Sequence, residues 1–158
     1  MKSYYDYHSL LGKIRIIADE TAITEIYFLL EHESITINCD MQETPLIQET
    51  ARQIKEYFEG TRKVFEVPLA PQGSAFYQKV WKELLAIPFG HTRSYGELAK
   101  RIQHPNSARA VGRAAHWNPI GIIIPCHRLI GSNGQLVGYA GGLNLKAALL
   151  AHESEVMK

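Results

Sequence analysis

The chain has 158 residues, of which 46% are hydrophobic and 21% are charged, and its formal net charge is +1. This length suffices for one medium domain or two small ones with a buried core. No apolar run is long enough to span a membrane, and the N-terminus lacks the apolar core of a signal peptide. We therefore expect a soluble cytoplasmic protein in which Cys39 and Cys126 are free thiols, because disulfides are rare in chains that are not exported.

The two halves of the chain differ in charge. Residues 1–70 contain seven Lys or Arg and twelve Asp or Glu, whereas residues 71–158 contain ten and four. A basic half is what a DNA-binding surface needs, since neutralising phosphates supplies most of the non-specific affinity for DNA. Charge alone is equally consistent with attraction between the two halves or with a different solvation of each.

The first half begins with strands. Residues 13–17, 23–28 and 34–37 are partly alternating, β-branched runs of strand length. Their short spacing predicts antiparallel hairpins. Residues 62–67 are predicted as a further strand.

A helix is predicted between these strands. Residues 47–58 show helical spacing of apolar side chains, and Gly60 stands where a C-terminal cap belongs. The polar residues of this half that could bind a metal are scattered, and such residues are usually surface or core. They are Asp6, His8, His32 and Cys39. We expect neither a catalytic site nor a metal site in this half.

A linker rich in residues that interrupt helices and strands occupies positions 68–73. We place the domain boundary there, which gives domains 1–70 and 71–158. Ser74 can cap a following helix whose apolar stripe should be core. The stripe consists of Phe76, Val80, Trp81, Leu84 and Leu85.

Two short helices around a tight turn follow. Ser94 and Glu97 have the spacing of a capping box, which predicts the start of the first helix. Ser107 can cap the second, which should end at about Trp117 because Pro119 disfavours helical geometry just before it. This order predicts a helix-turn-helix arrangement.

The second of these helices combines positive charge with small side chains. Arg109, Arg113 and His116 share one face. Most of its other residues are Ala or Gly, which lets the backbone approach a neighbour closely. On periodicity alone that neighbour is equally well another helix or DNA.

Residues 121–124 form a short apolar run that predicts a buried strand ended by Pro125. Cys126 then lies where the chain leaves the core. A thiol in apolar surroundings is inert unless a base or a positive charge lies nearby, and His127 and Arg128 are the candidates. The alternative is an unreactive buried cysteine.

The motif Pro-Cys-His-Arg at residues 125–128 has specific surroundings. Asn118 and Pro119 precede it, Gly-Tyr-Ala-Gly-Gly at residues 138–142 follows, and Ala-His-Glu at residues 151–153 comes last. In this order and spacing the motifs resemble the O6-alkylguanine-DNA alkyltransferases, also called methylated-DNA-protein-cysteine methyltransferases. The resemblance extends from about Gly73 to Glu153.

The resemblance implies an α/β (α+β) fold. Its first domain would be a ribonuclease H-like antiparallel sheet with a helix, of structural role, and its second a helix-turn-helix, winged-helix-like domain for DNA binding and catalysis. Some members hold zinc in the first domain, but this chain does not supply a convincing ligand set there. We expect no cofactor and no metal.

The resemblance also assigns catalytic roles. Cys126 would be the nucleophile, His127 a base acting through a water molecule, and Glu153 the carboxylate that orients the histidine. Asn118 would brace the turn at the cysteine. Tyr95 would contact the extruded base and help to protonate the departing guanine.

Further positions carry over as binding residues. Arg109 matches the family's arginine finger on its DNA-recognition helix. The other DNA-binding residues would be Ser94, Tyr95, Ala108, Gly112 and Arg113. The substrate pocket would be formed by Leu129, Gly138, Tyr139, Ala140 and Gly141, with backbone carbonyls of Cys126 and Leu129 accepting hydrogen bonds from the guanine amino group.

The function implied is direct reversal of DNA damage. One alkyl group would pass from O6-alkylguanine in duplex DNA to Cys126, in a single turnover, after the nucleotide is flipped through the minor groove. We expect a monomer that binds double-stranded DNA and no membrane. Acceptance of bulky adducts or O4-alkylthymine depends on the width of the pocket.

Three further functions remain as alternatives. A damage-binding relative that transfers nothing would commonly carry tryptophan in place of the nucleophile, whereas Cys126 is present. A cysteine hydrolase would use Cys126, His127 and Glu153 with the glycine loop as an oxyanion hole, which leaves the basic helix unexplained. A helix-turn-helix regulator would bind one DNA sequence and ignore alkylation.

Overall fold

The computed structural model describes residues 1–30, 38–139 and 141–158. The chain divides into two compact units, Met1–Pro71 and Gln72–Lys158, at the end of the proline-containing segment. The strand predicted at residues 34–37 lies outside the described residues. No helix in the described ranges is both long and apolar enough to cross a membrane.

The N-terminal unit contains a four-stranded sheet in the order β3-β2-β1-β4. Its strands are β1 (Ser3–Ser9), β2 (Gly12–Ala18), β3 (Ile23–Phe28) and β4 (Asp40–Met41). β1, β2 and β3 pair antiparallel, which confirms the prediction for residues 13–17 and 23–28. β1 and the parallel pairing of β4 with it were not predicted, since the side chains of β1 are nearly all half-buried and show no alternation.

Helix α1 (Pro45–Glu59) packs on β1 and β2 and confirms the predicted helix. The Thr44 hydroxyl accepts a hydrogen bond from the Ile47 amide at 3.3 Å. Gly60 ends the helix with φ of 82°, a left-handed conformation that glycine adopts without a steric penalty. The buried face of α1, which includes Ile47 and Ile54, closes the core of this unit.

The strand predicted at residues 62–67 is wrong, because this segment is attached to α1 through side chains. Arg62 pairs with Glu56 at 2.8 Å, and the Glu66 amide donates to the Gln53 side chain at 2.8 Å. Within the described part of the chain, backbone pairing with the sheet follows only at an isolated bridge between Leu69 and Ile23. The alternating side chains therefore belong to a segment that packs on α1, and they do not indicate pairing with the sheet.

The C-terminal unit is mainly helical. Its helices are α2 (Ala75–Leu85), α3 (Tyr95–Arg101), α4 (Ala108–His116) and α5 (Leu143–Val156), and β5 (Arg93–Ser94) pairs parallel with β6 (Leu129–Ile130). The Ser74 cap and the capping box of Ser94 with Glu97 are confirmed. α3 and α4 contact each other, as a helix-turn-helix requires.

Two details of these helices were predicted wrongly. Ser107 precedes α4, but its side chain makes no capping hydrogen bond because its backbone (φ −109°, ψ 29°) lacks the extended geometry of a capping residue. Leu85 is 47% exposed, whereas its stripe neighbours Val80, Trp81 and Leu84 are buried. Leu85 is the last residue of α2, where the helix leaves the core.

Residues 121–124 form a turn and not the predicted strand, although Ile122, Ile123 and Ile124 are buried as expected. Ile122 has φ of 70°, and the Ile124 amide donates to the Ile120 carbonyl at 3.0 Å. Local hydrogen bonds thus satisfy backbone groups that a strand would have paired across a ladder. A short apolar run indicates burial and does not by itself distinguish these two conformations.

Trp81 fixes α4 against α2. Its indole nitrogen donates to the Ala114 carbonyl at 2.8 Å, in a fully buried contact. Ala114 belongs to the last turn of α4, whose carbonyls have no partner within the helix. This hydrogen bond therefore supplies an acceptor group with a donor in the core.

Replacing Trp81 with Phe should destabilise the protein by about 1–3 kcal/mol, because the Ala114 carbonyl stays buried without its donor. Urea unfolding followed by far-UV circular dichroism measures the free energy of unfolding. Trp117→Phe is the matched control: Trp117 is 63% exposed, and its replacement should change stability by no more than about 0.5 kcal/mol. Equal effects of the two variants would contradict the role given to the buried indole.

Candidate active site

A cavity of about 330 Å³ lies in the C-terminal unit beside Cys126. This cysteine is 8% exposed and belongs to the cavity lining. The other lining residues come from α3, α4 and the segment before α5: Tyr95, Ala108, Arg109, Gly112, Ala115, His116, Val137, Gly138 and Tyr139. A thiol and the basic helix α4 therefore face the same cleft.

The conformation at Cys126 is set by a short 3-10 helix, Cys126–Arg128, which begins directly after Pro125. Asn118 braces this turn from the end of α4. Its side-chain nitrogen donates to the Ile124 carbonyl at 2.8 Å and to Cys126 Sγ at 3.2 Å, while its oxygen accepts from the Ile120 amide at 3.0 Å. One amide side chain thus ties the buried turn to the sulfur.

His127 and Glu153 form a buried pair behind the cysteine. His127 Nε2 lies 2.6 Å from Glu153 Oε2, and the two side chains are 0% and 1% exposed. His127 Nδ1 is buried and has no hydrogen-bond partner among the described residues. An unpartnered ring nitrogen next to the cysteine in sequence is a candidate proton acceptor.

Glu153 has further donors besides the histidine. Arg128 donates to it from Nε at 2.8 Å and from Nη2 at 3.0 Å, and the Gly90 amide donates at 3.1 Å. Arg128 is thus directed to the carboxylate, although the sequence offered it as a charge for the thiol. These donors keep a buried carboxylate ionised.

Lys146 is a buried residue that the sequence analysis did not select. It is 0% exposed, and its Nζ donates to the carbonyls of Val137 at 2.8 Å and Gly138 at 3.2 Å and to the Tyr95 hydroxyl at 3.4 Å. The Tyr95 hydroxyl itself donates to the Val137 carbonyl at 2.7 Å. One signal could have found it: Lys146, Leu149 and Glu153 recur at helical spacing on the buried face of α5.

The pKa values of these groups are shifted by burial and by one another. Burial raises the pKa of the Cys126 thiol, whereas the hydrogen bond from Asn118 and the charge of Lys146 act to lower it. Burial lowers the pKa of Lys146 to about 8, while the cysteine acts in the opposite direction. Lys146 therefore retains most of its charge at neutral pH and favours the thiolate.

The histidine and the glutamate are shifted in a complementary way. Burial lowers the pKa of His127, while the hydrogen bond with Glu153 acts to raise it. Burial alone would raise the pKa of Glu153, but hydrogen bonds from His127 and Arg128 hold that pKa far below its usual range. The pair therefore consists of a neutral imidazole and an ionised carboxylate at neutral pH.

Helix α4 exposes its basic face next to the cavity. Arg109, Arg113 and His116 are exposed, whereas Val111, Ala114 and Ala115 are buried. The small residues have two uses here: Ala114 and Ala115 pack inwards, and the Tyr95 ring lies against Gly112, about 3.5 Å from where a side chain would begin. The face thus remains narrow and positively charged.

Seven of the residues selected from the sequence line the cavity, and others lie outside its lining. Ser94 caps α3, Arg113 is exposed outside the lining, and Leu129 is fully buried. Gly141 lies against the side chains of Leu145 and Tyr139. Ala140 lies outside the described residues. The seven are Tyr95, Ala108, Arg109, Gly112, Cys126, Gly138 and Tyr139.

A larger groove of about 850 Å³ occurs in the N-terminal unit, between the end of β1 and α1. Two of its charged lining residues, Arg52 and Glu49, form an ion pair with each other. Its described lining contains no cysteine and no counterpart of the His127 and Glu153 pair. The reactive groups are therefore those of the smaller cavity. Among residues 1–30, 38–139 and 141–158, no cluster of three or more His, Cys, Asp or Glu side chains could hold a metal ion.

Comparison with known proteins identifies relatives of both units. Residues 2–71 match the ribonuclease-like domain of 6-O-methylguanine DNA methyltransferase, and residues 75–155 match the DNA binding domain of the same family. The methylated-DNA–protein-cysteine methyltransferase of Methanosarcina mazei is 46% identical over 98% of this chain and 99% of its own length. The constitutive enzyme of that name from Bacillus subtilis is 40% identical over 95% and 94%.

A solved structure agrees with these matches. The crystal structure of Mycobacterium tuberculosis OGT in complex with DNA has a TM-score of 0.90 with this chain at 40% identity, covering 98% of this chain and 94% of that one. Agreement of this extent in sequence and in fold includes the segment that carries the buried pair and the cysteine. The chain belongs to the 6-O-methylguanine DNA methyltransferase family.

Proposed function

We propose that this protein repairs DNA by transferring an alkyl group from O6 of guanine to its own Cys126. The observation that carries this proposal is the position of Cys126 in a cleft lined by the basic helix α4, directly before the buried pair of His127 and Glu153. Relatives named methylated-DNA–protein-cysteine methyltransferase and the OGT structure with DNA support it.

The reaction is a displacement at the alkyl carbon. A bond forms between Cys126 Sγ and that carbon while the bond from the carbon to guanine O6 breaks. The thiol proton passes through a water molecule to His127 Nδ1, and the departing guanine gains a proton with the help of the Tyr95 hydroxyl. Atoms and charges balance without a further reactant.

Three groups would favour formation of the thiolate and the imidazolium. Asn118 donates to Sγ, Lys146 supplies a buried positive charge, and Glu153 stabilises the imidazolium that forms on His127. In a water-poor site such fixed charges and donors act strongly on developing charge. The three support the proposed transfer of a proton away from a thiol whose pKa burial has raised.

Access to the base requires the nucleotide to leave the helix, because O6 in stacked duplex DNA cannot reach a recessed thiol. We propose that α4 enters the minor groove and that Arg109 fills the space left by the extruded base. Ser94, Ala108, Gly112 and Arg113 would contact the backbone or groove around it. Gly138, Tyr139 and Gly141 would surround the base, and the backbone carbonyl of Leu129 would accept a hydrogen bond from its amino group.

The product is a thioether, and the described residues of the site include no group that could expel an alkyl group from sulfur. Each molecule would therefore react once. We propose that it acts as a monomer in the cytoplasm, where the free thiols Cys39 and Cys126 stay reduced.

Mixing the protein with a duplex oligonucleotide that contains one O6-methylguanine should add one methyl group to the peptide bearing Cys126. Intact mass and peptide mass spectrometry measure this gain, which Cys126→Ala should abolish and Cys39→Ala should leave unchanged. Demethylation of many equivalents of DNA by one equivalent of protein would contradict the single turnover. Binding without a mass gain would favour the damage-binding alternative.

Lys146→Met should lower the single-turnover rate at pH 7 about tenfold, because losing a nearby positive charge raises the thiol pKa and lowers the fraction of thiolate. Lys146 carries its charge below its pKa of about 8. The deficit should therefore shrink as pH rises above 8, where the unmodified protein also loses this charge. Rates measured from about pH 6.5 to 9.5, with exposed Lys79→Met as control, test this. A deficit independent of pH would assign Lys146 a role only in packing.

Arg109→Ala and Arg113→Ala should have different effects, although both remove one exposed charge from α4. Arg109→Ala should slow transfer from duplex DNA about 10- to 100-fold, since base extrusion costs a few kcal/mol, and should leave transfer from free O6-methylguanine unchanged. Arg113→Ala should mainly weaken duplex binding and lower the salt slope by about 1. Identical behaviour of the two variants would argue against an arginine that replaces the base.

A further inference from the structure

The Glu153 carboxylate accepts hydrogen bonds on both oxygens. Oε1 accepts from Arg128 Nε at 2.8 Å and from the Gly90 amide at 3.1 Å. Oε2 accepts from Arg128 Nη2 at 3.0 Å and lies 2.6 Å from His127 Nε2. Arg128 thus contacts both oxygens of this carboxylate, whereas His127 and Gly90 each contact one.

Arg128 is itself held in place. Its third nitrogen, Nη1, donates to the Ile87 carbonyl at 2.8 Å, and its guanidinium carbon lies 5.7 Å from the centre of the Phe89 ring. The residue is 6% exposed. Since a guanidinium is planar, these contacts fix the plane in which it meets the carboxylate. Rotation of the Glu153 carboxylate would break at least two of its own hydrogen bonds.

This arrangement determines which ring nitrogen of His127 carries hydrogen. An ionised carboxylate can only accept hydrogen bonds, so Nε2 must be the donor. In the neutral ring Nδ1 is then the acceptor, and Nδ1 is the atom without a partner among the described residues. The orientation of Glu153 therefore decides whether the histidine can act as a base.

Arg128 also balances charge around the histidine. Three charged groups act on the His127 pKa: Glu153 and Lys146 from α5, and Arg128 from its own 3-10 helix. Glu153 and Arg128 cancel each other, and Lys146 adds a positive charge. A proton on His127 would leave an excess of positive charge in a buried cluster, which is unfavourable while the thiol is neutral.

We propose that Arg128 is a positioning residue for alkyl transfer: its two hydrogen bonds fix Glu153 against His127 Nε2, and its charge keeps the imidazole neutral until the thiol proton arrives. The inference rests on the proposed function. It gives a catalytic purpose to an ion pair that could otherwise contribute only to stability. Buried ion pairs are by themselves weak evidence for stabilisation.

The first test uses the unmodified protein. Nitrogen-15 NMR of the histidine side chains, with His127 assigned from its loss in His127→Gln, should show a neutral ring protonated on Nε2 at about pH 7. That state should persist below about pH 6.5, the ordinary value for histidine. An imidazolium at neutral pH, or hydrogen on Nδ1, would overturn the proposal whatever the variants do.

The second test separates geometry from charge with two variants. Arg128→Lys keeps the charge but loses the two parallel hydrogen bonds to Glu153, so His127 should stay neutral. Transfer should slow about 10- to 100-fold, which lies within the rate enhancement that a positioned general base contributes. Arg128→Gln loses both, so the His127 pKa should rise and the acidic limb of the rate profile should move to higher pH. If Arg128→Gln does not fold, the transfer rate of Arg128→Lys and the NMR spectrum of the unmodified protein still test the proposal.

A matched control is the ion pair between Arg15 and Asp6 in the N-terminal unit. Arg15 donates from Nε to Oδ1 of Asp6 at 2.7 Å and from Nη2 to Oδ2 at 2.9 Å. Arg15→Gln should lower thermal stability and leave both the His127 titration and the transfer rate unchanged. Arg128 variants with lower stability but an unchanged rate and rate profile would overturn the inference. Failure of the unmodified protein to gain a methyl group would instead overturn the proposed function.

Discussion

The interaction on which the rest of this site depends is the buried contact between Glu153 and its donors. The carboxylate on α5 joins the 3-10 helix through His127 and Arg128, and joins the segment after α2 through the Gly90 amide. An unpaired carboxylate could not remain ionised at 1% exposure. The same bonds that make its burial possible therefore bring three parts of the C-terminal unit together, and one of these parts is the 3-10 helix that begins at the cysteine.

The cavity side of the site follows a different principle. Lys146 links the Tyr95 hydroxyl with the carbonyls of Val137 and Gly138, so one cation connects a helix start with the segment before α5. Its hydrogen-bond partners there are neutral, and its charge acts to lower the pKa of the cysteine. The site thus has two buried cations with separate uses: Arg128 is neutralised by a carboxylate, and Lys146 remains available to a thiolate.

Features encoded by neighbouring residues could be predicted from the sequence. The Gly60 end of α1 and the capping box at Ser94 depend on local geometry, and both occur as expected. The run of isoleucines was correctly expected to be buried. Its turn depends on a hydrogen bond from the Asn118 side chain, and the spacing of apolar residues contains no information about such a contact. The strand predicted at residues 62–67 was wrong for the same reason, because side-chain contacts with α1 hold this segment in place of backbone pairing with a strand. Lys146 was missed because a lysine is normally assigned to the surface.

The left-handed backbone at Ile122 has a consequence for when the thiol becomes reactive. A β-branched residue with φ of 70° is disfavoured on its own, by about 1–3 kcal/mol, and persists only where surrounding structure imposes it. The loop that leads to Cys126 therefore has no tendency to form in a nascent or denatured chain. In such a chain Asn118, His127 and Lys146 are not arranged around the cysteine, so the capacity to accept an alkyl group from DNA arises only when folding is complete.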